Sequence, residues 1–192
     1  MDRRNVSAII LAGGRSSRMG SDKALLKFGE CSLLEYQIQK IRSLGISDII
    51  ISGHHSDCSD IRCVEDIIPG KGPLSGLHAS LKASCNDCSL VLSVDVLLIP
   101  SSWLIRLIDS FVSSGKDVLL LSHEGKAEPL IGIYKKSLAD KIEKILHTDR
   151  TAVFSLLDSV GYSTFEYKDN PDFLLNCNYP EDYERLLSIL KV

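Results

Sequence analysis

The chain lacks the features that would place it in a membrane or on a nucleic acid. No stretch of its 192 residues is apolar for long enough to span a bilayer. The apolar segment 6–11 leads directly into glycines without a small-residue cleavage pattern, so we expect no signal peptide and a cytoplasmic location. The net charge of -3 argues against a nucleic-acid surface, which is normally basic. We therefore expect neither membrane nor nucleic-acid partners, and a nucleotide ligand would need local cations.

Two familiar phosphate-binding patterns are also missing from the first glycine-rich loop. The pattern G-x-x-x-x-G-K-[ST] fails because Gly20 is followed by Ser-Asp-Lys. The dinucleotide pattern G-x-G-x-x-G fails because Gly13 and Gly14 are adjacent. A phosphate site in this chain must therefore use another kind of loop.

The six cysteines give only a weak signal for metal or redox chemistry. Cys85 and Cys88 have the spacing of a redox pair or of half a zinc site, and Cys58 and Cys63 could supply the other half only at a looser spacing. Reduced cysteines, some of them buried as small hydrophobic residues, explain the same positions. We expect no zinc or redox centre, and we interpret the histidine pair at 54–55 as part of a polar loop.

Length and composition fit a single globular domain over residues 1–192. Hydrophobic residues make up 44% of the chain and charged residues 24%, and we find no repeat, linker or low-complexity segment. Apolar runs of strand length alternate with segments of helical period. This alternation predicts an α/β fold with three layers, Rossmann-like, in which a mostly parallel sheet carries helices on both faces.

The same periodicity predicts the individual elements. Strands are expected at 6–11, 48–52, 62–65, 89–94, 117–122, 128–134 and 162–167, with a short extended stretch at 173–177. Helices are expected from a capping box at Ser32 and Glu35, at 74–83, 100–113, 137–147 and 152–157, and from about Pro180. Ligands of parallel sheets lie beyond the carboxyl ends of the strands, so the glycine loop and Asp95 should share one edge.

Residues 11–26 read LAGGRSSRMGSDKALL and carry the strongest functional signal. Gly13 and Gly14 let backbone N–H groups approach a ligand closely, because glycine has no Cβ. Three cations follow them, Arg15, Arg18 and Lys23. Backbone N–H groups and clustered cations after a buried strand favour phosphate binding. Arg18 could instead pair within the loop, with the Asp22 carboxylate as its partner.

This loop resembles the signature L-A-G-G-x-S-x-R-M-G-x-D-K of nucleotide-sugar-type nucleotidyltransferases. Its Gly-Gly and Asp-Lys pairs are most similar to the molybdenum cofactor guanylyltransferase family. Later segments match that family in the same order, at 64–66 with 72–76, 93–95, 128–130 and 176–182. The resemblance covers nearly the whole chain and implies the nucleotidyltransferase form of the three-layer fold.

The resemblance implies an Mg²⁺-dependent enzyme that transfers GMP from GTP to the phosphate of molybdopterin (Mo-molybdopterin). The products would be the guanine dinucleotide cofactor and pyrophosphate, with molybdoenzymes or cofactor-insertion chaperones as further partners. A cytidylyltransferase acting on the same cofactor is one alternative, although segments 128–130 and 176–182 look more like the guanylyl branch. Sugar-phosphate or phospholactate nucleotidyltransferases are a second alternative, and a non-catalytic cofactor-delivery module is a third.

Residue roles carried over from the family follow the matching positions. Lys23 and Arg15 are the expected catalytic cations, because nucleotidyl transfer depends on positioning and on charge stabilisation. Asp95 is the expected Mg²⁺ ligand. The expected nucleotide-binding residues are Leu11, Ala12, Gly13, Gly14, Arg15, Lys23, Ser52, Asp66, Gly72, Pro73 and Asp95. The expected acceptor-binding residues are Arg150, Asn176 and Asn178.

The chain departs from the family pattern at three positions. The usual Asp-x-Pro is replaced by Asp95-Val-Leu-Leu-Ile-Pro100, so the turn after Asp95 should be less rigid. Ser52 stands where a neutral amide is usual, and Tyr179 replaces the threonine that would cap the last helix. Purely structural roles also fit some of the predicted site residues. Asp95 could be a loop carboxylate, Asn176 and Asn178 could form a turn, and Arg150 could be a solvated side chain.

Overall fold

A computed structural model describes residues 2–13 and 22–190. Its strands are β1 (Ser7–Leu11), β2 (Lys27–Phe28), β3 (Cys31–Ser32), β4 (Asp48–Ser52), β5 (Ile61–Val64), β6 (Cys88–Ser93), β7 (Val118–His123), β8 (Lys126–Lys135) and β9 (Ser163–Glu166). Its α-helices are α1 (Leu33–Ser43), α2 (Pro73–Ala83), α3 (Ser101–Ser114), α4 (Ala139–Leu146), α5 (Val153–Val160) and α6 (Pro180–Leu190). Short 3-10 helices cover Arg3–Asn5, Lys23–Leu25, Lys136–Leu138 and Pro171–Leu174.

A seven-stranded sheet organises the part of the chain that the structure describes. Its strand order is β5-β4-β1-β6-β8-β7-β9. Strand β8 runs antiparallel to both of its neighbours, and the other adjacent pairs are parallel. The expected α/β fold with a mostly parallel sheet is therefore confirmed.

Successive residues of each strand point to opposite sides of the sheet, so the apolar strands give each face an apolar surface. Helices cover both of these faces. Ala8 and Ile10 of β1 pack in one core with α1 and α3, whereas Ile9 and Leu11 pack in the other with α2, α4 and α5. All five residues of β1 are buried, as expected for a central strand of a parallel sheet. A third cluster joins the β2–β3 hairpin to α6, through Phe28, Leu33 and Leu186 among others.

Two elements differ from the sequence-based expectation. The stretch predicted as extended, 173–177, begins inside the 3-10 helix Pro171–Leu174, which Asn170 caps by accepting a hydrogen bond from the Asp172 N–H at 3.0 Å. The β2–β3 hairpin was not predicted, because strands of two residues are too short to show a period. Gly29 lies in its turn with φ of +62°.

The helix ends follow ordinary capping chemistry. Ser32 and Glu35 form the predicted capping box at the start of α1. At α6, the carboxylate of Asp182 accepts hydrogen bonds from the N–H groups of Asn178 and Tyr179, at 3.0 and 2.9 Å. A carboxylate at the third helical position thus binds the N–H groups at the helix start where the hydroxyl cap is absent.

The carboxyl ends of β1 and β4 are held against each other. The Ala12 N–H donates to the Ser52 carbonyl at 2.9 Å. Gly53 then adopts φ of +79°, and a Cβ placed on it would lie 2.3 Å from the Gly13 Cα and 2.6 Å from the Gly13 N. The first glycine of the LAGG loop is therefore positioned by direct contact with the glycine that follows β4.

We expect Gly53→Ala to destabilise the protein more than the matched substitution Gly45→Ala. Gly45 has φ of +83°, and a Cβ there would meet nothing within 4 Å. Both variants bear the left-handed strain of about 1–2 kcal/mol, but only Gly53→Ala forces two backbones apart, adding about 1–3 kcal/mol. The free energy of unfolding measured with urea checks this. Equal losses in the two variants would refute the close approach.

His78 is buried between α2 and α4 without a full set of hydrogen bonds. Its side chain is inaccessible to solvent, and its Nε2 lies 3.5 Å from a Glu143 carboxylate oxygen, which the Lys82 ammonium contacts at 2.7 Å. Burial lowers the pKa of His78 below 6.5, the Lys82 charge acts in the same direction, and Glu143 and Asp140 oppose them. The neutral imidazole is thus the form that suits the folded protein.

We expect the free energy of unfolding of His78→Leu to fall less than that of the wild type as the pH is lowered. Because the pKa of His78 is lowered on folding, the unfolded chain binds more protons below pH 6.5, so wild-type stability falls as the pH drops through that range. The greatest slope that one group contributes is about 1.4 kcal/mol per pH unit. Urea unfolding of both proteins between pH 7.5 and 5 checks this, and parallel curves would contradict a buried neutral histidine.

Candidate active site

Three predicted functional residues, distant in sequence, meet at the carboxyl edge of the sheet. The Lys23 Nζ donates to the Asn178 Oδ1 at 2.8 Å and forms an ion pair with the Asp95 Oδ2 at 3.2 Å. The Lys23 and Asp95 side chains are only 18% and 14% exposed, so solvent screens the pair weakly. One cation and two oxygen ligands therefore form a preassembled polar centre.

Local structure at the end of the signature loop positions Lys23. It opens the 3-10 helix Lys23–Leu25, which Asp22 caps by accepting from the Ala24 N–H at 3.0 Å. The second oxygen of Asp22 lies 3.3 Å from the His54 Nε2, in the loop after β4. Asp22 and His54 thus connect the loop that carries Lys23 to the neighbouring strand end, a contact that the sequence did not reveal.

Asp95 is fixed by the strand before it and by the segment before α6. It follows β6 by two residues, and one of its carboxylate oxygens accepts a short hydrogen bond from the Ser93 hydroxyl. Its backbone carbonyl accepts from the Cys177 N–H at 3.1 Å. Because Cys177 separates the two predicted asparagines, this bond brings their segment to the centre. Ser93 and Cys177 lie within the matched motif segments but were not recognised as contacts.

The donor set of this centre suits a divalent cation. The carboxylate of Asp95 and the amide oxygen of Asn178 both face one positive charge, and Mg²⁺ prefers oxygen ligands of these kinds completed by phosphate and water. Among the described residues, no group of three or more histidine, cysteine or acidic side chains could hold a metal by itself. A metal here would therefore depend on substrate oxygens as well as on protein ligands.

The predicted nucleotide-binding residues line the neighbouring strand ends. Ser52 is buried, and a Cβ on Gly76 would lie 2.3 Å from its hydroxyl oxygen, so α2 packs directly on the end of β4. Gly72 and Pro73 begin α2 at this edge. The carbonyl of Leu11, one of the predicted nucleotide-binding residues, already accepts a hydrogen bond from the Val94 N–H at 3.1 Å.

Two acidic residues beside these strand ends have pKa values raised by burial. They are Asp66, which follows β5, and Glu128, at the bulge between β7 and β8. Desolvation penalises the charged carboxylate in both cases. Each carboxyl is therefore more easily protonated than a free one.

The remaining predicted residues have less defined surroundings. Arg150 is exposed, and its backbone N–H donates to the Thr148 hydroxyl at 3.2 Å, so it sits in a locally folded turn. Asn176 is half-buried, with its amide 3.5 Å from the Leu174 carbonyl. Their roles in acceptor binding stay predictions. Gly14, Arg15 and Arg18 lie outside the described residues, so their predicted roles also stay predictions.

The cysteines occupy different environments. Cys85 is exposed and Cys88 is buried, and burial raises the pKa of the Cys88 and Cys177 thiols to about 11. These two thiols are accordingly protonated at neutral pH.

No helix within residues 2–13 and 22–190 is both long and apolar enough to cross a membrane.

Comparison with known proteins gives consistent matches over most of the chain. The "Probable molybdenum cofactor guanylyltransferase" of Carboxydothermus hydrogenoformans is 32% identical over 199 aligned residues, covering 98% of each chain. A molybdopterin-guanine dinucleotide biosynthesis protein A from Archaeoglobus fulgidus shares the fold, with a TM-score of 0.82, 20% identity and coverage of 97% of this chain and 99% of that one. A Mycobacterium tuberculosis protein crystallised in complex with manganese also shares it, with a TM-score of 0.71, 18% identity and coverage of 96% and 98%.

Residues 8–160 match the family described as "MobA-like NTP transferase domain". The matched range contains Lys23 and Asp95 of the polar centre, whereas Asn178 lies beyond it. The chain belongs to the MobA-like NTP transferase domain family.

Proposed function

We propose that this protein transfers GMP from GTP to the phosphate of molybdopterin, releasing pyrophosphate and forming the guanine dinucleotide cofactor. The convergence of Lys23, Asp95 and Asn178 at the carboxyl edge of the sheet is the observation that carries the proposal. Relatives similar over nearly the whole chain, with guanylyltransferase in their names, support this acceptor and base over the alternatives.

The reaction requires two anions to meet. An oxygen of the molybdopterin phosphate attacks the α-phosphorus of GTP, a new P–O bond forms, and the bond to the pyrophosphate oxygen breaks. Lys23 would stabilise the charge that develops on the phosphates, since its ammonium lies beside the Asp95 and Asn178 oxygens. Arg15 is proposed as the second cation, from the family pattern of the loop.

A divalent metal, proposed to be Mg²⁺, would neutralise phosphate charge and help align the reactants. Asp95 and Asn178 would hold it, because their oxygens already face a shared cation. Lys23 would then exchange its contact with Asp95 for one with a phosphate oxygen, because the triphosphate carries more negative charge than one carboxylate. The Ser93 hydroxyl donates to the other Asp95 oxygen and would hold it in place during this exchange.

Base selection would use the strand ends on the other side of the LAGG loop. Guanine presents N1–H and an exocyclic amine, so it requires acceptors such as the Asp66 carboxylate and the Ala12 carbonyl. Cytosine presents an acceptor at N3 and would face these oxygens with a lone pair. The Leu11 carbonyl, which already accepts from Val94, is a weaker candidate than Ala12.

The acceptor and the later partners belong to the same proposal. Asn176, Asn178 and Arg150 would face the molybdopterin phosphate, and the product would pass to molybdoenzymes or to cofactor-insertion chaperones. We place the reaction in the cytoplasm, where the exposed cysteines Cys58, Cys63 and Cys85 would remain reduced.

A competition experiment tests both the activity and the base. The protein is incubated with Mg²⁺, molybdopterin and equal GTP and CTP, and pyrophosphate and the dinucleotide products are measured. We expect GTP to be preferred by roughly tenfold to a few hundredfold, because each mismatched buried contact costs about 1–3 kcal/mol. Preference for CTP would indicate the cytidylyl branch. Release of no pyrophosphate would favour a non-catalytic binding module.

Lys23→Ala should lower turnover by about 10²-fold or more while the fold persists, because the charge on the transferring phosphate loses its donor. Lys27→Ala is the matched control, since Lys27 is an exposed lysine four residues further along the same segment. Pyrophosphate release and circular dichroism are measured for both. Turnover of Lys23→Ala within a few-fold of Lys27→Ala would remove Lys23 from the mechanism.

A further inference from the structure

The turn that carries Asp95 is buried and has little local support: the Val96 N–H donates to the Ser93 carbonyl at 3.4 Å, and the Ser93 hydroxyl binds one Asp95 oxygen. Its apolar residues are at most 8% exposed: Val94, Val96, Leu97, Leu98 and Ile99. The first proline after Asp95 is Pro100, five residues on. A buried turn without regular secondary structure must find hydrogen-bond donors for its carbonyls elsewhere.

Helix α1 supplies those donors from two side chains one turn apart. The Gln37 Nε2 donates to the Ser93 carbonyl at 3.1 Å and to the Val96 carbonyl at 2.8 Å. The Lys40 Nζ donates to the Ile99 carbonyl at 2.9 Å and makes a shorter contact with the Leu97 carbonyl. Four carbonyls on both sides of Asp95 are thus bound by two residues of one helix.

Both side chains carry a cost that packing alone would not require. Gln37 is fully buried, and its own Oε1 has no hydrogen-bond partner within the described part of the chain. Burial lowers the pKa of Lys40 to about 8, which shows that its charge is poorly solvated. An apolar residue at position 37 would avoid an unsatisfied acceptor, so the benefit of glutamine lies in the two carbonyls it binds.

We propose that Gln37 and Lys40 are positioning residues that fix the turn from Ser93 to Ile99 and thereby set the place of the Asp95 carboxylate. A proline close after the aspartate would restrain the turn from within. Here the two side chains restrain it from α1. The consequence for catalysis rests on the proposed function, because it requires Asp95 to act on metal and phosphate. The restraint of the turn itself does not depend on that function.

The test compares Gln37→Met with wild type and with Ile142→Val. Methionine keeps the length of the side chain but has no donor, so the Val96 carbonyl loses the Gln37 donor and the Ser93 carbonyl keeps only the longer bond from the Val96 N–H. Ile142→Val is the matched control, since Ile142 is fully buried in the opposite core layer and its substitution lowers stability without reaching the turn. Lys40→Met is the second variant, because Lys40 is only half-buried and its loss is better tolerated.

Two measurements need no substrate. Hydrogen–deuterium exchange follows the backbone amides of residues 94–99, and Mn²⁺ binding to the protein alone is followed by electron paramagnetic resonance. We expect exchange in this segment to rise by about tenfold or more in Gln37→Met and Lys40→Met. We expect Mn²⁺ to bind several-fold more weakly. Ile142→Val should match wild type in both.

A third measurement is turnover as a function of Mg²⁺ at saturating GTP. We expect half-saturating Mg²⁺ to rise and kcat to fall by about 10–10² in Gln37→Met, because small misplacements of a reacting group are costly, whereas the KM for GTP should change little. Unchanged exchange at 94–99 in both variants overturns the positioning role, whatever the activity. Altered exchange with wild-type Mn²⁺ affinity and Mg²⁺ dependence also overturns it, since the turn would then move without moving Asp95. Absence of turnover in wild type refutes the proposed function and leaves the exchange result to decide the positioning role.

Discussion

The candidate active site depends on the contact of one ammonium group with two side-chain oxygens. Lys23 joins Asp95, 72 residues away, to Asn178, 155 residues away. In a weakly screened setting such an interaction is strong when complete and costly when one partner is missing. The 3-10 helix Lys23–Leu25, the end of β6 and the segment before α6 are thereby held together although they share no secondary structure.

The sheet explains why these three segments can meet. Strands β1, β4 and β6 are parallel, so their carboxyl ends open on one edge, and the long path after β9 returns to that edge through the Cys177–Asp95 backbone bond. Apolar side chains fill both faces, so the polar chemistry is confined to the loops. The close approach of Gly13 and Gly53 restrains the backbone at the point where the chain leaves β1.

Much of this could be predicted from local patterns. The apolar run of β1, the capping box of α1 and the alternation of elements identified the fold, and the loop motif with Asp95 and Asn178 identified the centre. The antiparallel insertion of β8 between β6 and β7 was beyond such patterns. It depends on the turn at Glu124 and Gly125, where both φ values are positive, and on pairing with β6, which is distant in sequence.

The contacts that hold the turn after Asp95 and the start of α6 were not predicted, because no local pattern distinguishes the residues that make them. Gln37 and Lys40 occupy a helix whose polar positions, read from sequence, suggest a solvated face, yet both reach carbonyls about 60 residues away. Asp182 likewise reads as a favourable charge at a helix start, and its function as a backbone acceptor appears only with the fold. Departures from the family pattern offered the clue. Where the proline after Asp95 is absent, donors from the distant helix α1 bind the turn, and where the threonine before α6 is absent, the nearby Asp182 carboxylate binds the helix start. A lost motif residue therefore marks where to look for a compensating contact rather than for a lost function.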